Sequence, residues 1–450
     1  MSVMKQFFRS AFQVTPFVLA NTIIFIPYFL FLSLNKGAVL EAVLPFVLFY
    51  TFRMTGIFLL KSFRLSLSSF TILIIAILLG GAGSLIGIMG QFYFPLYLIS
   101  AVFVGLSASW LPAANTTVNF HEKQQGTALS IKNKYLYILL ILGGLLASLA
   151  LGNEWRIPLI FAEYTLLYVG AYHTVTHYAD YVIDFNEVDQ QTISIKELFL
   201  FFFFFILLLL IRSARLLFEP DLLTMAIIVF SVVFILAAWL FNRQWKNWQL
   251  PLWLNLLTFG NGMCMNFVFL FGTFYVALRF GAAYLVLRLY IPYILGVLAA
   301  ALFMRLLYQL LPKFEPKVIH AGAYIISLFL LLFPSFFSLG VFFLSCSMNA
   351  TSSFLNRVYY QETILPKESR IITKYSTQTK GSITHQLLLM SVLWLMVKEE
   401  HLPVQVVLQI TAHQANSAIA IQLVEVIHLL SVSALLLFFG VVFFKSWKKS

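Results

Sequence analysis

The chain has 450 residues, of which 61% are hydrophobic and only 10% charged, with a formal net charge of +12. So few charges cannot solvate the surface of a water-soluble protein of this length, which excludes an ordinary soluble domain and makes lipid part of the solvent. The basic residues lie scattered between apolar segments instead of forming one patch, so the charge argues for membrane topology and against nucleic acid as a partner.

A spanning helix needs about 20 mostly apolar residues, because backbone groups left unpaired in hydrocarbon cost several kcal/mol each. Read between charged or turn-rich breaks, the chain first gives six such stretches, near 14–34, 38–60, 70–89, 94–116, 135–151 and 157–172. Two more follow near 198–211 and 222–241. Six others lie near 252–278, 282–304, 318–333, 339–356, 385–397 and 417–444. The expected fold is therefore an all-α polytopic membrane protein of about 14 spans. No small-residue cleavage pattern follows the first apolar run, so that run is expected to remain as a span. With the N-terminus inside, the outer segments collect only Lys36, Arg156, Arg212, Arg215, Arg279 and Lys398 of the lysines and arginines. That is the asymmetry of the positive-inside rule, and it predicts that both termini are cytoplasmic.

The strongest break in composition is 173–197, where Asp180, Asp184, Glu187, Asp189 and Glu197 face Lys196. It divides the chain into a six-helix bundle over 1–175, an acidic cytoplasmic linker over 176–197, two additional spans over 198–247 and a second six-helix bundle over 248–450. The low-complexity run Phe201 to Phe205 reads as a lipid-facing helix surface. Cys264 and Cys346 sit inside apolar runs, which predicts neither a disulfide framework nor a thiolate metal site.

Residues 105–131 read GLSASWLPAANTTVNFHEKQQGTALSI, and residues 143–170 read GGLLASLALGNEWRIPLIFAEYTLLYVG. The first resembles the proline-containing fourth span, with its charged loop, of the fourteen-span drug:proton antiporter branch of the major facilitator superfamily. The second is similar to that family's glycine-containing fifth span and the Trp-Arg turn into span six. The resemblance implies the major facilitator fold, two six-helix bundles that rock about a site near the bilayer midplane, here with two extra helices between them. It also implies export of amphipathic solutes, with protons as the coupling ion and no cofactor. A periplasmic adaptor protein is a partner it leaves open, and the bacterial inner membrane is the location it implies. Several family positions differ. Ala20 stands where the family has an acidic residue two before Thr22, Ala101 stands in place of the fourth-span arginine, and only Lys61 to Arg64 offers charge between spans two and three.

Ionisable groups inside spans cost about 2.5–3.5 kcal/mol on insertion scales, which singles out Arg53, Glu163, Arg288 and Glu425. Arg288, read near the middle of the tenth span beside Tyr284, Tyr290 and Tyr293, could meet an anionic solute or a buried carboxylate. Glu163 could titrate in place of the missing first-span carboxylate, or simply hydrogen-bond a neighbouring helix. Glu425, one turn from His428, could form a proton relay. Arg53 could snorkel to the interface or act as a gate. Asn255, Thr258, Asn261 and Asn266 mark the ninth span as cavity-lining or closely packed, and Asn21, Trp110 and Asn115 are the corresponding candidates of the first bundle. His173 and His177, four apart with Asp180 nearby, have metal-ligand spacing but lack a glutamate base, and read better as a solvated helix end. The substrate-binding set is thus Asn21, Trp110, Asn255, Asn261, Asn266, Arg288 and Tyr284, and the coupling or gating set is Arg53, Glu163 and Glu425, with no metal site.

No phosphate-binding loop or nucleophile elbow is present, so the expectation is a transporter and not an enzyme. The alternatives are a flippase for lipids or lipid-linked glycans, a membrane enzyme acting on lipids, and a scaffold that has lost transport.

Overall fold

The computed structural model describes residues 3–34, 40–63, 67–127, 134–151, 155–178, 194–244, 250–411 and 418–447. Asp180, Asp184, Glu187 and Asp189 of the acidic linker, Arg64, His413 and the motif end at 128–131 lie outside those residues. The described chain is helical and divides into two compact units, Met1–Ser213 with Pro366–Thr373, and Ala214–Leu365 with Lys374–Ser450.

In the first unit, Ser10–Thr22 of α1 (Val3–Thr22) and α2 (Ile26–Ser33) form one apolar pair bent by 59°. Pro27 sits in the first turn of α2, where its missing N–H leaves the preceding turn without a bond, and the helix breaks there. The helices α3 (Leu40–Ser62), α4 (Ser69–Met89), α5 (Leu96–Gln125), α6 (Lys134–Ala150) and α7 (Arg156–Val175) follow, and α8 (Ile195–Leu217) begins in this unit. Their core is aromatic, with Phe31, Phe46, Phe49, Phe58, Phe161, Tyr164 and Tyr168 almost fully buried. Gly80 of α4 makes room for the ring of Tyr168 on α7, since a Cβ there would sit 2.1 Å from the phenol. The Tyr168 hydroxyl lies 3.0 Å from Ser107 Oγ, which donates to the Ala76 carbonyl at 2.7 Å and so ties α4, α5 and α7 together.

The second unit contains α9 (Pro220–Gln244), α10 (Leu252–Asn266), a π-helical turn (Phe267–Phe271), α11 (Gly272–Arg279), a second π turn (Val286–Tyr290) and α12 (Ile291–Leu310). It continues through α13 (Pro316–Leu331), α14 (Phe337–Gln361), most of α15 (Ser369–Glu399), α16 (Gln405–Thr411) and α17 (Ala418–Trp447). Two glycines allow α10 and α15 to touch backbone to backbone. A Cβ on Gly262 would lie 1.8 Å from the Gln378 carbonyl oxygen, and one on Gly381 would lie 2.0 Å from that of Phe259.

Each stretch expected to span is mainly helical over its described residues. By length and apolarity, however, eight helices qualify among the described residues, or nine if the bent pair is one span. Lys134–Ala150, Pro220–Leu236 and Pro316–Leu331 are apolar but shorter. Helices α7 and α15 do not qualify, since Arg156, Glu163 and His173 in one, and Lys374, Gln378 and Lys380 in the other, dilute their apolar residues.

Three readings of single residues change. The phenylalanine run is not a uniform lipid face, because Phe201 and Phe204 are buried while Phe202 is exposed. Arg212 is not in a loop, since α8 runs on to Leu217 and buries it. Arg288 is not mid-span. Gly281 takes a positive φ of 98°, a 3₁₀ turn follows, and the apolar helix starts only at Val286.

Candidate functional site

In the first unit α3 and α8 run antiparallel, side chain by side chain. Lys61 pairs with Glu197 at 3.0 Å, the Phe58 and Phe204 rings are 5.4 Å apart, and those of Phe52 and Phe205 are 4.9 Å apart. Continuing this register brings the Arg212 guanidinium over the Tyr50 ring at 3.7 Å, within hydrogen-bonding reach of the Tyr28 and Tyr50 side chains. At 1.5 Å per residue, Tyr50 lies roughly 15 Å from one end of α3 and roughly 18 Å from the other, so Arg212 sits at mid-depth of that helix. Arg53, one turn along α3, is within electrostatic range of Arg212 and of both tyrosines. Arg212 is 6% exposed and its Nε is buried with no partner, whereas Arg53 is only half-buried. Among the described residues neither guanidinium has a carboxylate partner.

The other candidates of this unit stand apart from that pair. Trp110 is buried and donates from Nε1 to the Gly56 carbonyl at 2.8 Å, joining α5 to α3. Asn21 is exposed and bonds back to the Phe17 carbonyl of its own helix at 2.7 Å. Asn115 is buried with its Oδ1 unpartnered. Glu163 accepts a 2.6 Å hydrogen bond from Ser148 Oγ between α7 and α6, and its other oxygen is buried without a partner. Near the starts of α4 and of α15, Glu368 accepts from the Ser69 backbone N–H at 2.8 Å, a carboxylate at a helix N-terminus, and lies 3.9 Å from His121. Tyr178, beyond the end of α7, is pushed up to about 12 by burial and, secondarily, by the Glu122 carboxylate.

In the second unit, neighbouring helices take up most of the polar stripe of α10. Thr258 meets the Tyr359 hydroxyl at 3.3 Å, Asn261 Oδ1 accepts from Tyr324 at 2.9 Å, and Asn266 lies 2.9 Å from His385 Nδ1. Asn255 is half-buried. Arg288 stacks over Phe280 at 4.0 Å, with the exposed Tyr284 ring 6.0 Å away. The suggested relay on α17 is split. Glu425 forms an ion pair with Arg279, while His428 bonds the Leu331 carbonyl at 2.6 Å and stacks on Tyr275 at 4.2 Å.

Three groups went unrecognised in the sequence: Lys374, His320 and Arg212. Lys374, in the polar first half of α15 before the apolar stretch 385–397, is fully buried, donates to Ser352 Oγ at 2.8 Å and has no carboxylate partner among the described residues. Burial pulls its pKa down to about 7. His320 is clamped between Tyr308 and Thr351, each at 2.8 Å, beside a cavity of about 630 Å³ that also meets Arg305, Asn349 and Arg357. A buried Lys within a polar segment leaves no composition signal. Arg212 did leave one, because the apolar run resumes after it at Leu216 and Leu217. His173 and His177 stack at 4.5 Å, and no group of three metal-ligating side chains occurs among the described residues.

No protein-family model matches the chain, and no curated protein matches it in sequence. Several solved structures of transporters align with it over nearly its whole length. The nucleoside transporter NupG aligns over 99% of this chain and 99% of its own, with a TM-score of 0.47 at 11% identity. A structure concerned with substrate recognition in proton-dependent oligopeptide transporters covers 100% of both chains, with a TM-score of 0.48 at 11% identity. A POT family transporter in complex with a thioalcohol-conjugated peptide covers 97% of this chain and 96% of its own, with a TM-score of 0.46 at 12% identity.

Proposed function

We propose that the chain is a secondary active transporter of the major facilitator type, which exports an amphipathic or hydrophobic organic solute by alternating access. The observation that carries this reading is a chain of apolar helices, in two compact units, that retains the permanently charged Arg53 and Arg212 within the depth of helices long enough to span. Charge at that depth is costly, and a passing solute is a reason to keep it. The charge asymmetry of the loops and the motif resemblance support about 14 spans with both termini cytoplasmic, bundles over 1–175 and 248–450, a linker over 176–197 and an extra pair over 198–247. Protons are the coupling ion in this reading. Glu163, with one carboxylate oxygen on Ser148 and the other unpartnered, is the group proposed to carry them. The location is a bacterial inner membrane, and a periplasmic adaptor would receive the exported solute.

The experiment is flux of lipophilic anions, cations and lipid-like fluorophores in proteoliposomes, with and without an imposed pH gradient. Gradient-driven movement of one class, lost in Glu163→Gln, supports the reading. No movement of any class refutes it and leaves the flippase, enzyme and scaffold alternatives.

A further inference from the structure

Arginine keeps its charge in proteins, so a buried guanidinium cannot escape its desolvation by losing a proton. It must find an anion, carbonyl oxygens or an aromatic face. Arg212 has the Tyr50 face and the reach of two phenols, yet its Nε remains unpaired, and the nearby Arg53 adds a second positive charge where opposite charge is needed. The nearest carboxylate in the α3/α8 ladder is Glu197. It is already paired with Lys61, eight residues along α3 from Arg53, which is roughly 12 Å of helix rise. Two like charges at mid-depth, with no carboxylate paired to either among the described residues, make a site suited to an anionic group.

We infer that Arg53 and Arg212 bind the oxyanion group, carboxylate or phosphate, of an amphipathic solute, with Tyr28 and Tyr50 donating to it from their hydroxyls. The chemistry fits each part. Guanidinium forks match the paired oxygens of a carboxylate or phosphate, and the half-buried Arg53 leaves a way in while Arg212 forms the floor. The buried Phe46 ring packs edge-on against Tyr28 at 4.9 Å and holds that phenol in place from behind. This inference deepens the transporter reading and rests on it for the solute's passage across the membrane. It also moves the anion-selective charge away from Arg288, which stands in the first turn of its apolar helix beside Phe280 and not at mid-depth.

The test is binding, measured by thermal stabilisation and by titration calorimetry on the full-length protein in nanodiscs of purely zwitterionic lipid. The soluble probes are benzoate, phenyl phosphate and the cationic isostere benzylamine, and a separate arm replaces part of the lipid with phosphatidylglycerol. The expected result is binding of benzoate or phenyl phosphate but not benzylamine. Affinity should fall by about tenfold to about a hundredfold in Arg53→Gln and in Arg212→Gln, and hold in Arg288→Gln. Arg53→Lys and Arg212→Lys keep the charge, so either guards against loss of folding in the glutamine variants. Stabilisation by phosphatidylglycerol alone, lost in the same two variants, would support the oxyanion site with a lipid headgroup as its occupant. Equal binding of benzoate and benzylamine to the unmodified protein, or no anion binding in any arm, would overturn the inference. Binding does not depend on flux. Anions that bind without moving would sink the transporter reading alone, and flux that is indifferent to both arginines, without anion binding, would sink this inference alone.

Discussion

Replacing Gly381 by alanine tests the crossing of α10 and α15 directly. The added methyl would start 2.0 Å from the Phe259 carbonyl oxygen, whereas ordinary contact begins near 3.4 Å, so the two backbones must part by roughly 1.4 Å. A carbonyl in mid-helix cannot swing away as a side chain can, and overpacking of this kind costs about 3 kcal/mol. Alanine's better helix propensity returns about 1 kcal/mol, leaving a net loss of about 2 kcal/mol. The two buried free thiols, Cys264 and Cys346, are built-in reporters, since a thiol-reactive fluorophore labels them only when the second unit opens. By the scaling of soluble domains, the labelling midpoint should fall by about 4–8 °C in Gly381→Ala. Gly440→Ala is the control, because nothing lies within 4 Å of its added carbon, and its midpoint should hold or rise. An unchanged midpoint in Gly381→Ala would refute the close crossing, and with it the placement of Gln378 and Ser382 against α10.

Lys374, held near pKa 7 by burial, binds its proton less tightly folded than unfolded, where about 10.4 is usual. Its penalty is therefore full below pH 7 and fades as pH rises toward 10.4. Stability should climb with pH across that window, and Lys374→Met should flatten the climb and raise stability at pH 7 by an amount on the order of a few kcal/mol; parallel pH curves for the two proteins would contradict this. Tyr324→Phe removes the donor to Asn261 Oδ1 and should cost about 1–3 kcal/mol, while the double variant Tyr324→Phe with Asn261→Leu should lose less than the two single changes added together. Glu425→Gln breaks the ion pair with Arg279, in which Glu425 is 42% and Arg279 31% exposed, and should lower stability by less than about 1 kcal/mol; a large loss would mean that the pair is shielded by lipid.

The helices were legible because apolar runs of spanning length have few other uses, and over the described residues every expected stretch is mainly helical. What the chain order hides is depth and partnership. Arg288 looked central because residues 282–304 read as one apolar run. The positive φ of Gly281 and the turns after it depend on backbone geometry that composition does not record. Arg212 looked like a loop cation because a charge normally ends a span, and its resting place over Tyr50 requires a residue 162 positions earlier in the chain. The amides of α10 were readable as groups needing partners, yet their partners lie far off in sequence, His385 being 119 residues from Asn266. The Arg53 and Arg212 cluster was half visible, since Arg53 was marked as an intramembrane charge and only the α3/α8 register could add the second.

The π-helical turn at Phe267–Phe271 has a bearing on how this chain can be compared with others. Each such turn holds one residue more than the α-helix around it, which offsets the faces downstream by about 100°. Phe274 and Tyr275 are buried where they stand because of that extra residue. Removing a single residue from 267–271 would let the segment close into ordinary α-helix and would swing Arg279 off Glu425 while leaving Asn261 in place. An alignment without gaps through this segment would therefore pair the wrong faces on one side of it, and the numbering of the helix is best treated as two frames joined at the turn.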